Sequence, residues 1–305
     1  MARYLVRRAG QSLLVLLGVS LVIFMISRLG GDPVSLMVGP DVQEAEREAL
    51  RHQLGLDAPL YVQYWRYLSR AIRGDFGQSI LAGVPAMSLV LERVPATLQL
   101  AAFALVFAAA VGIPLGVASA LRRNGPLDYL GAAITLLGQS LPSFWVGIVL
   151  IMVLGLQLRL LPISGRGSPL HLVMPGVTLG FSLVAIFSRI TRSSMIEVLT
   201  ADYIRTARSK GLGPWAITVR HQLKNAMIPL VTMMGMSFAN LMGGAVVTEQ
   251  IFAWPGIGRL ALNSIHARDF PVIQADVLFV SAVVVLVNLL VDVVYTVLDP
   301  RIRYA

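Results

Sequence analysis

Long uninterrupted apolar stretches, rather than short alternation, organise this chain. Six runs stand out, near 9–27, 96–120, 130–156, 170–188, 226–248 and 277–298. Each comes close to the ~20 apolar residues that a helix needs to cross a bilayer. The pattern predicts an all-α membrane protein with six transmembrane helices. Between the first and second runs lies a more polar segment, 28–95. It holds a charged piece from Val42 to Leu54 and an aromatic one with Tyr61, Tyr64, Trp65 and Tyr67. It reads as an inserted subdomain of short helices, placed between an N-terminal helix, 1–27, and a core domain, 96–305. Pro114, Pro142, Pro175 and Pro229 fall inside the runs, where they read as kinks, because neighbouring helices can satisfy the backbone groups that proline frees.

Composition agrees with a membrane protein. Of 305 residues, 56% are hydrophobic and 13% charged, at a mean hydropathy of +0.74, whereas a soluble domain carries about 25% charged residues. The first run follows Arg3, Arg7 and Arg8, as the core of a signal peptide does. Its length and the unsuitable cleavage sequence Ser27-Arg28-Leu29 favour a retained span. With six spans both termini share one side. That side collects fourteen of the 25 Lys and Arg but only four of the 16 Asp and Glu, which makes it cytoplasmic by the positive-inside rule. Segment 28–95 then lies outside. The net charge of +9 is accounted for by topology, with no nucleic-acid partner. The chain has no cysteine, which excludes disulfides, thiolate metal sites and thiol nucleophiles.

No enzyme site emerges. His52, His171, His221 and His266 are scattered, without ligand spacing. The two lysines, Lys210 and Lys224, follow Ser209 and Leu223. A phosphate-binding loop needs Gly-Lys-Ser/Thr, so this chain cannot bind a nucleotide in that way. Gly256-Ile-Gly258-Arg-Leu-Ala261 imitates a dinucleotide fingerprint but follows no strand, and reads as a loop beside a span. Asp292 is the one acid within a run, on the helix face of Asn288. An ionisable group at that depth is by default functional; a structural bond to a neighbouring helix and a proton-coupled role both stay open. A gradient-driven secondary transporter or channel is the competing reading. It calls for several such groups or an internal repeat, and neither is visible. An intramembrane enzyme calls for a catalytic pair that is missing.

A long basic stretch between two apolar runs is ADYIRTARSKGLGPWAITVRHQLKNAMIPL, 201–230. Asp202 suits the cap of a helix carrying Ile204, Ala207 and Arg208. Gly211 suits the left-handed residue that ends a helix, and Pro214 the first position of the next. Trp215, Val219 and Leu223 recur every four residues, an apolar stripe at helical period. That second helix continues through Met227 and Pro229 into the fifth run. The prediction is a rigid helix–turn–helix elbow on a cytoplasmic loop at about 190–227. It is either a solvated basic loop or a lever offered to a partner.

Segments spread over the whole chain carry a family resemblance: ARYLVRRAGQSLLVLLGVSLVIF, GGDPV, LGLDAPLYVQYWRYL, GDFGQS, ERVPATLQL, SLPSFWVG, LLPISG, DYIRTARSKGL, RHQLKNAMIPL, GGAVVTEQIFAWPGIGRL, RDFPVIQADVLF and VNLLVDVVYTVLDPRIR. Together they resemble the permease subunits of ATP-binding-cassette importers, in the dipeptide, oligopeptide, glutathione and nickel branch. The resemblance implies a multi-pass protein of the bacterial inner membrane that is not itself an enzyme. It implies a second homologous permease, two ATPase subunits and an extracytoplasmic binding protein as partners, besides membrane lipid. No cofactor belongs to this chain; ATP and Mg²⁺ would be held by the ATPases. It also implies that the elbow residues Asp202, Tyr203, Arg205, Thr206, Ala207, Arg208, Lys210, Gly211 and Leu212 dock an ATPase. Aligned on Gly211, Arg205-Thr206-Ala207 occupies the family's Glu-Ala-Ala positions and keeps only the second alanine. An ion pair built on the usual glutamate therefore does not carry over.

Overall fold

The computed structural model describes residues 2–29, 34, 43–53, 55–243 and 245–298, and everything below concerns these. Val42, Leu54, most of GGDPV and the ending 299–305 lie outside them. The described residues are helical, with no strand and a single isolated bridge between Gln78 and Pro85. In chain order the helices are α1 (Ala2–Leu29), α2 (Glu44–Gln53), α3 (Leu60–Ala71), α4 (Ala86–Leu121), α5 (Pro126–Ser140) and α6 (Ser143–Leu150, prolonged by a π-helical turn, Ile151–Gln157). They continue with α7 (Leu170–Leu199), α8 (Asp202–Ser209), α9 (Pro214–Ala216, prolonged by a π-helical turn, Ile217–Leu223) and α10 (Lys224–Met242). The last are α11 (Val246–Ile251), α12 (Ile257–His266) and α13 (Phe270–Leu298).

Four segments are single helices long and apolar enough to cross a membrane: Arg7–Leu29, Ala86–Leu121, Leu170–Leu199 and Phe270–Val293. The other two expected spans are bent pairs, so the count is four straight spans, or six with each pair taken as one. The run 130–156 is not one rod. Helices α5 and α6 meet at 103°, because Pro142 cannot donate to the preceding turn and holds Leu141 extended at φ −83, ψ 126. The segment that carries the fifth run bends by 51° between Met227 and Pro229, so the elbow is joined to a bent helix rather than to a straight one. Pro114 and Pro175, by contrast, sit inside unbroken helices.

The chain divides into two compact units, Met1–Ala96 with Pro255–Leu286, and Thr97–Trp254 with Val287–Ala305. In the first, the aromatic residues foreseen in the inserted segment pack on α1. Phe24 stacks on Tyr67 at 5.5 Å and meets Tyr64 edge-on, also at 5.5 Å, while the Ser20 and Tyr64 hydroxyls are 2.9 Å apart. Ala86 and Val90 of α4 bury against Val272 and Ala275 of α13. The buried carboxylate of Asp269 ties down a distant loop: it accepts from the Ser79 hydroxyl and from the backbone N–H groups of Ile80 and Leu81, at 3.2 and 3.4 Å. Of the motif at 256–261, read as a loop, only Gly256 stays outside a helix, as the extended residue before α12; residues 257–261 are helical.

In the second unit α4 and α7 approach to backbone contact. A side chain on Gly112 would place its Cβ 2.9 Å from the Val184 carbonyl, and one on Gly116 2.5 Å from that of Ser188. Gly176 and Gly180 of α7 lie under the rings of Phe103 and Phe107 in return. Small residues four apart let membrane helices pack at this range, where dispersion replaces the hydrophobic effect as the source of cohesion. Around the crossing, Ala108, Leu183, Val184, Phe187 and Leu230 form the core, so α10 is bound to the same seam. Glu249 of α11 is completely buried and accepts a hydrogen bond of 2.9 Å from Thr97 Oγ1.

Gly116→Leu should prise α4 from α7. Overpacking costs about 1–3 kcal/mol, and the atoms opposite are backbone, so thermal inactivation in detergent should come several degrees earlier. Gly10→Leu, with no atom within 4 Å of its added Cβ, should leave the transition unchanged.

Candidate coupling site

The stretch 201–230 folds as two short helical pieces around a glycine. Helix α8 begins one residue earlier than the capping assignment required. Ala201 stands at the N-cap and Asp202 is the first helical residue, with no side-chain cap bond. Its carboxylate still lies where the helix dipole favours negative charge. At the other end the Gly211 N–H donates to the Arg208 carbonyl at 3.0 Å, and the Leu212 N–H to that of Ala207 at 3.3 Å. With Gly211 at φ +77 this is the paired Schellman closure, which requires a left-handed residue at that point. Gly213 is extended and Pro214 opens α9.

Ile204 and Ala207 are buried and pack on Ile217, with Val198 and Ala201 beside them. The two arms therefore share an apolar seam. Of the stripe expected at Trp215, Val219 and Leu223, only Leu223 packs inward, and Val219 is exposed. Trp215 is 79% exposed, whereas Ile217 and Gln222 are buried. The physical reason is that 217–223 is π-helical, so residues five apart, not four, share a face. Tyr203 reaches from α8 to α10, where its hydroxyl accepts from Asn225 Nδ2 at 2.9 Å.

The remaining predicted site residues, Arg205, Thr206, Arg208, Lys210, Gly211 and Leu212, are exposed along with Asp202 and Tyr203. Arg205 and Asp202 approach to 3.9 Å, both more than four-fifths exposed; in water such a pair contributes little. The surface they form is basic, with Tyr203, Leu212 and Trp215 as apolar points within it. Asp292 is not near this group in sequence or helix; it is a half-buried residue of α13. Among the described residues no group of three His, Cys, Asp or Glu could hold a metal.

The lower part of α7 carries what the sequence reading missed. Arg192 donates from Nε to Asp128 Oδ1 at 2.6 Å and from Nη2 to Oδ2 at 2.9 Å, a two-pronged pair across α5 and α7. Asp128 also accepts from the Asn124 N–H at 3.0 Å. Both residues had counted only toward topology, and nothing in a single sequence links positions 64 apart. A cavity of about 500 Å³ adjoins the pair. Beside it, Ala120 of α4, Met195 of α7 and Ala226 of α10 meet in a small core, with Leu199 and Leu223 against it. The elbow is thus packed onto α4, α7 and α10 together.

Comparison with known proteins completes the picture. Residues 112–304 match the family described as binding-protein-dependent transport system inner membrane component, and residues 1–101 match the N-terminal part of such components. The chain belongs to this family. It is therefore a permease subunit of an ATP-driven importer and a multi-pass protein of the bacterial inner membrane, which sets aside the gradient-driven alternative. The family works with ATPase subunits, a binding protein and a second permease. This permease is 42% identical over 305 residues, the full length of both chains, to the glutathione transport system permease protein GsiC of Escherichia coli K12, and 41% identical to that of Salmonella paratyphi A. Its fold resembles a chain of the inward-facing MetNI methionine ABC transporter. The TM-score is 0.57 at 19% identity, covering 70% of this permease and 97% of that chain. At that identity the likeness concerns fold alone.

Because the Asp128 carboxylate is buried, removing Arg192 leaves it without compensation, and removing Asp128 strips the half-exposed Arg192 of its two-pronged partner. Asp128→Asn and Arg192→Gln should each lower the yield and thermal stability of the assembled complex. The exchange Asp128→Arg with Arg192→Asp should recover a good part of the loss. Equal behaviour of the exchange and the single variants, measured by fluorescence-detected gel filtration after heating, would show that the bond carries no weight.

Proposed function

We propose that this permease forms half of the translocation pathway of an importer for glutathione or other short peptides, and that its elbow at Asp202–Leu212 receives the force of the ATPases. The observation that carries the coupling role is the division of the elbow's residues. Ile204 and Ala207 are spent on the seam with Ile217, while Tyr203, Leu212 and Trp215 are held out to water. An exposed apolar point on a basic surface fits a partner's groove better than it fits solvent. The substrate class rests on the full-length relatives, which are glutathione transport system permeases; dipeptides, oligopeptides and nickel belong to the same branch. Both termini and the elbow lie in the cytoplasm in this reading, with each bent pair counted as one span and the inserted segment 28–95 outside, toward the binding protein.

The complex has a second permease and two ATPases. ATP and Mg²⁺ are held by those ATPases, and this chain needs no cofactor of its own. ATP-driven closure of the two ATPases moves the elbows. The seam at Ile217 and the core around Leu230 pass that movement to α7 and α10, which opens the pathway alternately to either side. Asp292 serves as a structural bond between helices rather than as a proton carrier.

Gly211→Val tests the lever. A β-branched residue at φ +77 is strained, and the elbow should distort without disturbing the spans. Binding-protein-stimulated uptake of glutathione into proteoliposomes should fall about tenfold while the complex still assembles. Normal uptake would refute the lever. Asp292→Asn should keep uptake within about twofold of the parent, and its loss in an assembled complex would instead support ion coupling.

A further inference from the structure

Within the first unit α3 separates two cavities of opposite character. One, about 380 Å³, is lined by Arg28, Arg66 and Arg70 together with Gln63, Tyr67 and Gln274, and no carboxylate among the described residues lines it. The other, about 350 Å³, is lined by Leu13, Leu17, Leu68, Ile72, Phe279 and other apolar side chains, with Ser20 its one hydroxyl. A smaller cavity of about 210 Å³ joins them, since it shares Arg28, Arg70 and Gln274 with the first and Phe76 with the second.

The basic cavity holds polar atoms that nothing among the described residues satisfies. Tyr67 is 7% exposed and its hydroxyl has no hydrogen-bond partner. Burial, and after it the neighbouring Tyr64, push that hydroxyl well above the ordinary tyrosine range, so it remains an O–H donor. Gln63 is 8% exposed; its amide nitrogen donates to the Leu56 and Ala58 carbonyls at 2.8 and 2.7 Å, but its Oε1 has no donor. Buried polar groups are almost always paired, so a donor and an acceptor left open beside three guanidinium groups call for an occupant. Gly55 makes room for one of those groups: a Cβ there would fall 2.4 Å from Arg66 Nη1.

The position of these cavities identifies the occupant. The apolar segment of α1, Arg7–Leu29, ends one residue after Arg28, at the level where arginine side chains meet headgroups. Tyr61 and Trp65 of α3 are exposed at 69% and 64%, as interfacial aromatics are. From Arg28 back to Leu17 the helix rises about 16 Å, close to half of the ~30 Å hydrocarbon core. A basic pocket at headgroup height that opens into an apolar groove one leaflet deep has the form of a lipid site.

We propose that this composite groove binds one anionic phospholipid whose headgroup carries hydroxyls. The phosphate sits among Arg28, Arg66 and Arg70 and accepts from Tyr67, and a headgroup hydroxyl donates to Gln63 Oε1. One acyl chain runs along Leu17, Ile72 and Phe279. The inference is independent of which solute the permease carries.

The test is native mass spectrometry of the assembled complex, delipidated in neutral detergent and given equal phosphatidylglycerol and phosphatidylethanolamine. The parent should retain phosphatidylglycerol at least tenfold over phosphatidylethanolamine. Arg66→Gln with Arg70→Gln, both on the exposed side of α3, should abolish that preference. Ala71→Trp, which fills the groove and leaves every charge in place, should reduce retention similarly. Tyr67→Phe should weaken it about threefold. An unchanged preference in both the arginine double variant and Ala71→Trp would overturn the proposal. So would displacement of the lipid by millimolar inorganic phosphate or glutathione alone, which would make the pocket a site for free anions.

Discussion

The seam between Ile204, Ala207 and Ile217 is the contact on which the rest of this structure's use depends. Without it the stretch 201–230 is a basic loop; with it, two short helices become one body. Burying an isoleucine stabilises by roughly 1.5–3 kcal/mol, whereas an exposed ion pair such as Arg205–Asp202 contributes about 0–1 kcal/mol. The apolar contact therefore sets the elbow's shape and leaves its charges free for a partner. Ala120, Met195 and Ala226 then join the elbow to three long helices, and the glycine crossing of α4 and α7 holds those helices at backbone distance. Packing of this kind switches between arrangements rather than deforming smoothly, which is what a coupled conformational change requires.

Much of this was legible in the chain. Four of the six apolar runs fall within single long helices, because bilayer thickness imposes their length, and Gly211 and Pro214 carry turn chemistry that few other residues supply. The misreadings share a cause. Pro142 looked like any membrane proline, but the extended conformation it imposes on Leu141 coincides with a sharp reversal, so one expected span became two helices. Trp215, Val219 and Leu223 were read as one apolar stripe at a period of 3.6, but the π-helical turn at 217–223 buries Ile217 and Gln222 and leaves Trp215 and Val219 exposed. Local pattern is blind to a change of helix type that tertiary packing selects.

Long-range polar pairs were not legible at all. Arg192 and Asp128 looked like two contributions to a charge bias, and Glu249 and Asp269 like ordinary acids beside membrane spans. The three acids are buried and bonded to residues far away in the chain: Asp128 to Arg192, Glu249 to Thr97, Asp269 to Ser79. Such groups fix the relative placement of segments that apolar packing alone leaves free to slide. The open hydroxyl of Tyr67 and the open oxygen of Gln63 are exceptions to this economy among the described residues, and they stand in a cavity where three arginines meet an apolar groove.

The central claim is that the elbow touches an ATPase subunit. The chain has no cysteine, so a single one at Trp215 or Leu212 is a unique handle. Each should be introduced separately into the complex and treated with a short thiol-to-amine cross-linker. The account predicts that both positions couple to an ATPase subunit, with a yield that changes when ATP is bound, while a cysteine at the bilayer-facing Leu14 does not. Efficient labelling of both cysteines by a soluble thiol reagent in an assembled, transporting complex, without any cross-link to an ATPase, would contradict it.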